Sequence, residues 1–558
     1  MKTIRILLLS FICGILPASR LFSQDFISKL LQEELGIHYK SLQKQDNPPY
    51  FIGYRLSDVQ TYVLSASFGS IITDDFDHGR MISAEIRIGS YEFDNTHPLD
   101  DMGRRSGFSG GSLARLPIDD SLTPIKNSIR DCTDAAYKSS LEEYQGLMQV
   151  KDTLKIKFND FSKQGKETYF EPAIAANKPA DCWTGYLKKI TAEFNKDSYV
   201  MEARATLSAS STRNYYTNTE GTLVVQNSFI TDLNIVVIFS CDDGNMAPYI
   251  KTYQVRNLDQ LPSEKQLMDD VAEMKKIIQK LRTAPKAESY SGPAMLSARA
   301  SGVFFHEIFG HRVEGHRLRQ STDAHTFKNQ LGEKILNDQI SITFDPTATE
   351  FNGVPLYGYY KYDDEGVAAQ KVEVVKNGKF MQYLMSRQPV AGNPGSNGHG
   401  RGMPGLAPVS RQSNLFVSSR SYIPEEDMHE KLRKMCKKQN KEYGYLFDEV
   451  IGGFTNADRM SINAFNIMPI VVYRVYTDGR PDEMVRGVSL IGTPLTMFSE
   501  IEACGGQKAV FNGYCGAESG SIPTSTIAPS LLVNKIETQR QFEIKCEIPQ
   551  ICSPDQVN

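Results

Sequence analysis

Two histidines and a glutamate lie close together near the middle of the chain, in the segment GVFFHEIFGH that begins at residue 302. Imidazole nitrogens are good zinc donors, and a carboxylate beside the first histidine can take a proton from water held by the ion. His306, Glu307 and His311 therefore predict a hydrolytic metal site with Glu307 as its base. The alternative is a structural helix whose histidines cap or pack, because so short a motif also arises by chance.

The spacing of the two histidines is unusual, because His311 follows His306 by five residues rather than the four of the common zinc-peptidase helix. Five residues turn through about 140° on an ideal helix, so both rings reach one ion only if the helix is widened or broken. Gly310 permits either change, and a π-type turn would realign the rings. His316 belongs to a second Gly–His pair, Gly315-His316, and is an alternative second histidine.

A catalytic zinc site also needs a third protein ligand and an open position for water. The candidate is Cys515, which lies in the glycine-rich segment GYCGAESG that begins at residue 513. A lone cysteine in such a loop is otherwise a disulfide partner or a small buried residue. If a fourth protein ligand such as His316 or Cys504 closed the site, the zinc would be purely structural.

Four motifs occur in a fixed order along the chain and together resemble those of the TldD/PmbA family of zinc peptidases, once called modulators of DNA gyrase. The similarity extends from about residue 196 to residue 537. The motifs are GHRVEG from residue 310, SNGHGR from 396, VRGVSLIG from 485 and YCGAE from 514.

The resemblance implies a role for each candidate residue. In that family the two motif histidines and the late cysteine hold zinc, and the motif glutamate is the base. Carried over by position, these are His306, His311 and Cys515 as ligands and Glu307 as the base. The family also has partner members that lack the motif, whereas this chain resembles the catalytic kind.

The resemblance further implies a dimer, formed with a second copy or with a related family member. In the family, the peptide substrate lies extended in an enclosed cleft and adds as a strand to a sheet edge. The predicted function is therefore a secreted zinc-dependent peptidase that hydrolyses flexible or unfolded peptides. Two alternatives are a catalytically silent partner subunit of a TldD/PmbA-type complex and a cysteine-nucleophile hydrolase that uses Cys515 with a histidine.

The charge and the first residues set limits on partners and location. The 558-residue chain has a net charge of −4 and no block of basic residues, which argues against nucleic-acid binding. Lys2 and Arg5 precede an apolar stretch over residues 6–16, and small residues follow it. This pattern predicts a secretory signal over residues 1–24 and export to the periplasm or medium. The stretch is too short for a membrane span, and we expect none elsewhere.

The arrangement of elements predicts an α+β fold, with an N-terminal α/β region, a β-rich C-terminal domain and the metal helix between them. Strands are expected at 50–55 and 59–66, and Asn377-Gly378 predicts a β-hairpin. The predicted domains after the signal are 25–283, 284–339 and 340–558.

A glycine- and proline-rich loop spans residues 389–408 and contains His399 and Arg401. No helix follows the loop, which argues against a phosphate-binding motif. We expect it to lie beside the metal site, with His399 and Arg401 as candidate substrate contacts.

Overall fold

The computed structural model describes residues 25–98, 111–154, 158–319, 325–456 and 464–541. Within these ranges seven α-helices and 22 β-strands form an α+β fold, which confirms the predicted class. The predicted signal segment lies outside the described residues. Among the described helices, none has the length and apolar character that crossing a bilayer requires.

The N-terminal part is built on a seven-stranded sheet in the order β3-β2-β1-β5-β6-β4, with β7 paired to β6. Its pairings are antiparallel except that of β4 with β6. The two strands expected at 50–55 and 59–66 are one continuous strand, β1. In chain order the elements are α1 Phe26–Leu42, β1 Pro49–Ser67, β2 Ser70–Ile88, β3 Gly111–Leu116, α2 Leu122–Val150, β4 Thr168–Phe170, α3 Cys182–Ala192, β5 Val200–Asn218, β6 Leu223–Ser240, β7 Met246–Val255 and α4 Glu264–Thr283.

The C-terminal part is built on an eleven-stranded sheet in which β8 pairs with both β17 and β22. Strands β22, β20, β18, β17 and β8 therefore form a closed ring. The elements are β8 Ser291–Leu296, α5 Ala298–Ile308, β9 Ile340–Phe344, β10 Glu350–Phe351, β11 Val354–Pro355, β12 Val372–Lys376, β13 Lys379–Phe380, β14 Gly400–Arg401, β15 Val409–Ser410, β16 Asn414–Ser419, α6 Glu425–Lys438, β17 Tyr443–Thr455, β18 Phe465–Tyr476, β19 Glu483–Val485, β20 Val488–Gly492, α7 Pro494–Ser499, β21 Ile501–Ala517 and β22 Gly520–Arg540.

Helix α5 packs into the apolar core of the C-terminal sheet. Val303, Phe304, Phe305 and Ile308 are buried there among side chains from the strands. The expected metal helix is thus joined to the C-terminal sheet by packing, although the exact domain boundaries stay a prediction. The Asn377-Gly378 hairpin is confirmed, since both residues have positive φ and connect β12 to β13.

Candidate metal centre

Helix α5 carries His306 and Glu307 and ends just after them. The Ser297 side chain caps the helix start by accepting a hydrogen bond from the Ala300 amide. The helix stops at Ile308, and a 3₁₀ turn over Gly310–Arg312 follows. The histidines are therefore brought together by a break in the helix and not by a π-type turn. The ring centroids of His306 and His311 lie 5.2 Å apart.

The glycine at the break is required by a neighbouring side chain. A Cβ atom on Gly310 would lie 1.8 Å from Oε1 of Gln412. Gln412 is fully buried, and its Nε2 lies 3.5 Å from the backbone oxygen of His306. Gly310 therefore admits the amide side chain that packs on the end of the metal helix.

The third predicted ligand comes from the hairpin formed by β21 and β22. Cys515 is buried, and its Sγ lies 3.5 Å from Nε2 of His311. His306, His311 and Cys515 each offer one ligand atom, and these three atoms lie within 4.8 Å of one another. Bond lengths of about 2.0–2.3 Å place donors in a tetrahedral zinc site about 3.3–3.8 Å apart. The 3.5 Å between Cys515 Sγ and His311 Nε2 lies in this range, and two imidazoles with a thiolate are donors that suit zinc.

Glu307 lies beside the three donors in a largely buried position. Its side chain is buried, and no protein group among the described residues hydrogen-bonds to its Oε2. Burial raises the pKa of the Glu307 carboxyl, although the two nearby histidines oppose the rise. A Cβ atom on Gly453 of β17 would lie 2.9 Å from Cγ of Glu307, so a glycine there leaves room for the carboxylate.

A buried carboxylate fixes the orientation of the second histidine. Nδ1 of His311 lies 3.2 Å from Oε2 of Glu314, which leaves Nε2 facing Cys515. Histidine ligands of metals commonly donate their second ring nitrogen in this way. Burial alone would raise the pKa of Glu314, but the positive charges of His311 and Arg317 lower it to about 2.

The cysteine and the second histidine also stabilise each other's charged forms. Burial opposes ionisation of the Cys515 thiol, but the adjacent His311 and His306 hold its pKa well below the usual range. Burial likewise lowers the pKa of His311, yet the neighbouring Cys515 and Glu314 raise it to about 10. A thiolate is the form of cysteine that binds metals.

His316, the alternative second histidine, contacts Glu518 instead of the other predicted ligands. Nε2 of His316 forms a very short contact with a carboxylate oxygen of Glu518. His316 is not part of the group formed by His306, His311 and Cys515. Cys504, the other residue considered for a fourth ligand, is buried in the apolar core of the C-terminal sheet. The geometry therefore favours His311 as the second histidine.

A cavity of about 420 Å³ opens beside His306 and Glu307. Its walls include strands from both sheets, over residues 249–254 of β7, 449–453 of β17 and 511–514 of β21. Within the described part of the chain, β7 pairs only with β6, and residues 508–517 of β21 pair only with β22. Two open strand edges thus border the candidate metal site.

His399 and Arg401 lie in the interior behind the site and not on the cavity wall. The ring nitrogens of His399 contact the Asn397 carbonyl oxygen at 3.0 Å and Ser413 Oγ at 3.1 Å. Arg401 donates to the carbonyl oxygens of Gln412 and Pro523. Arg401 lines a separate cavity of about 210 Å³, and the expected substrate contacts of both residues stay a prediction.

Sequence reasoning missed a run of five consecutive polar residues, 410–414, all of them fully buried. Two members of the run approach the ligands directly, since Arg411 donates to the Cys515 carbonyl oxygen and Gln412 packs on His306. The run carries no apolar residue, so its only signal in the sequence is an unbroken polar stretch that extends from the end of β15 to the first residue of β16. Polar stretches of this kind usually indicate surface loops.

Comparisons with known proteins show what this chain is similar to. Residues 289–540 match the family described as PmbA/TldA metallopeptidase C-terminal domain. A protein of Archaeoglobus fulgidus named Metalloprotease is 30% identical over 261 residues, which cover 47% of this chain and 56% of that protein. A Saccharolobus solfataricus protein named Zinc metalloprotease TldD homolog is 23% identical over 74% of this chain and 84% of its own length.

The fold has a counterpart among solved structures. The structure of TldE from Thermococcus kodakarensis has a TM-score of 0.62 and 13% identity, and covers 91% of this chain and 99% of that one. The chain spans about half the length of the first curated relatives that it matches. A relationship to the TldD/PmbA family is thus supported by the family match and by the relatives.

Proposed function

We propose that this chain, whose C-terminal part is related to the PmbA/TldA metallopeptidases, is a zinc-dependent peptidase for flexible or unfolded peptides. The observation that carries the proposal is the convergence of His306, His311 and Cys515 beside the buried carboxylate of Glu307. An open cavity adjoins two of these residues, which leaves room for water and a peptide. The relatives named metalloproteases give the same activity independent support.

His306, His311 and Cys515 are the residues that would hold the ion. Zinc, when bound, supplies a Lewis acid that polarises the scissile carbonyl and makes water more acidic. Glu307 accepts the proton of the attacking water and then donates it to the amine nitrogen that leaves. Burial suits the carboxylate to both steps, because it moves the pKa of Glu307 upward, closer to neutral pH.

The cavity favours a peptide in an extended conformation. The edge of β7 and the edge of β21 are joined at one end, where Asn512 Nδ2 donates to the Gln254 carbonyl oxygen. An extended peptide between these edges could pair its backbone with a strand, as peptides do in strand addition. A folded protein would not present such a strand, so the substrate is a flexible segment.

We further propose export of the protein and assembly as a dimer, with a second copy or a related subunit. The charged and apolar pattern at the N-terminus supports export. Mass spectrometry of the mature protein should find a first residue between Ser19 and Asp25. An intact Met1 in material recovered from the exported fraction would contradict the export proposal.

Hydrolysis of an unfolded casein substrate by the purified mature protein tests the proposed activity. A chelator should abolish hydrolysis, and added zinc should restore it. Inhibition by a thiol alkylator while the metal stays bound would instead favour a cysteine nucleophile. If the protein binds zinc but hydrolyses no peptide, and a related subunit restores hydrolysis, the chain is the silent partner of a complex.

A further inference from the structure

A buried ion pair connects the segment of the second histidine to the segment of the cysteine. Arg411 and Glu314 are both fully inaccessible to solvent. Nε of Arg411 lies 3.5 Å from Oε1 of Glu314. Neither of these two atoms has a hydrogen-bond partner among the described residues.

Each member of the pair contacts a different predicted ligand. Oε2 of Glu314 lies 3.2 Å from Nδ1 of His311 and 2.7 Å from a guanidinium nitrogen of Arg317. The guanidinium of Arg411 donates to the Cys515 carbonyl oxygen at 2.5 Å and to Ser519 Oγ at 2.7 Å. Residues 314, 411 and 515 lie far apart in the sequence, and the pair joins their segments.

Stability alone does not account for this arrangement. Removing two charges from water costs several kcal/mol each, and replacing a buried ion pair by apolar residues is often neutral or stabilising. The pair instead links the His311 ring to the Cys515 backbone, because Glu314 contacts the ring and Arg411 donates to the carbonyl oxygen. Carboxylates and their partners behind a metal ligand fix its orientation.

We propose that Arg411 and Glu314 are positioning residues that hold Sγ of Cys515 and Nε2 of His311 at ligand-forming distance before any metal binds. The inference rests on the proposed zinc site. It adds to that site two residues that would not touch the ion. These two residues would hold the ligand side chains in place in the metal-free protein.

Two variants, Arg411→Met and Glu314→Gln, test the proposal on the full mature protein. Arg387→Met is the matched control, because Arg387 is also fully buried and pairs with Glu220 and the Ser162 carbonyl oxygen, away from the ligands. Zinc affinity is measured by competition with a chromophoric chelator. Crystal structures of the metal-free proteins give the separation of Cys515 Sγ and His311 Nε2.

Both test variants should bind zinc at least about tenfold more weakly than the control, since partners behind metal ligands contribute about 10–100-fold in affinity. In metal-free Arg411→Met the sulfur should move away from His311 Nε2, whereas Arg387→Met should keep the 3.5 Å separation. Should Arg411→Met fail to fold, Glu314→Gln decides the question.

Zinc affinity equal to that of the control, with unchanged ligand geometry, would overturn the positioning role. Failure of the proposed function is a different result, namely a wild-type protein that binds no zinc. In that case the metal-free structures still decide whether the ion pair holds the two side chains together.

Discussion

Gln412 occupies the space that a side chain on Gly310 would need. A Cβ atom at position 310 would lie within 2.5 Å of three atoms of the Gln412 amide group. This contact explains a glycine at the end of the metal helix better than backbone freedom does, because Gly310 is not among the residues with positive φ. The break in the helix and the buried amide therefore depend on each other.

Gly310→Ala should destabilise the protein by about 1–3 kcal/mol, the usual cost of overpacking a dense interior. It should also weaken zinc binding, because Gln412 must move away from the end of the metal helix. Adding Gln412→Ala should recover part of the stability, since the clashing atoms are gone.

Thermal unfolding of the single and double variants measures this coupling. Gly146→Ala is the control, because that glycine lies inside α2 with nothing within 4 Å of a Cβ atom. Equal melting temperatures for Gly310→Ala and Gly146→Ala would show that the two residues do not compete for space.

Gly453→Ala should lower kcat while zinc stays bound. The added Cβ atom would lie 2.9 Å from Cγ of Glu307 and 2.8 Å from the Asn466 carbonyl oxygen. Displacing a catalytic group by about 1 Å can cost about 10²-fold in rate, so a loss of at least about tenfold is expected. Gly452→Ala is the neighbouring control, with nothing within 4 Å. Identical kcat values for the two variants would refute the steric account of Glu307.

Cys515→Ala should lose most of its zinc, whereas Cys504→Ala should keep it. Both cysteines are buried on β21, but only Cys515 lies against His311. Removing a ligand should weaken binding by more than about 100-fold, since even the partners behind ligands contribute 10–100-fold. Atomic absorption on dialysed protein gives the zinc content. Full zinc in Cys515→Ala would eliminate this residue as a ligand.

The stability of the protein should fall between pH 6.5 and pH 4 because of His399. Burial lowers the pKa of His399 to about 4, against about 6.5 in an unfolded chain. In this range the unfolded chain therefore binds more protons, and acid favours unfolding by up to about 3 kcal/mol. His399→Gln removes this contribution. Urea unfolding at several pH values should give a shallower pH dependence for the variant, and equal slopes would contradict a buried neutral imidazole.

The sequence was sufficient to predict the fold class, the hairpin at Asn377-Gly378 and the three side chains that converge at the site. The fold class follows from the arrangement of the predicted elements, the hairpin from local turn chemistry, and the three side chains from motifs that resemble a family. The continuous strand β1 was not predicted, because Ser57 and Asp58 interrupt the apolar pattern between its two halves. In the structure these polar residues lie on a strand whose neighbours on both sides satisfy its backbone.

The framework behind the site could not be predicted from local patterns. Arg411 and Gln412 look like loop residues, and only contacts with segments about a hundred residues away make their burial favourable. The same reasoning applies to His399 and Arg401, for which the glycine-rich stretch predicts a loop beside the metal site with both side chains as candidate substrate contacts. Internal hydrogen bonds satisfy both side chains, which a single sequence does not reveal.

Zinc content and peptide hydrolysis of Glu307→Gln, measured on the same preparation, test the central claim most directly. Glutamine keeps the shape of the side chain but cannot accept the proton of the attacking water. The variant should hold as much zinc as the wild type and unfold at a similar temperature, while kcat on unfolded casein falls by at least about 10²-fold. A variant with full zinc that keeps more than a few per cent of the wild-type kcat would contradict the proposed role of Glu307.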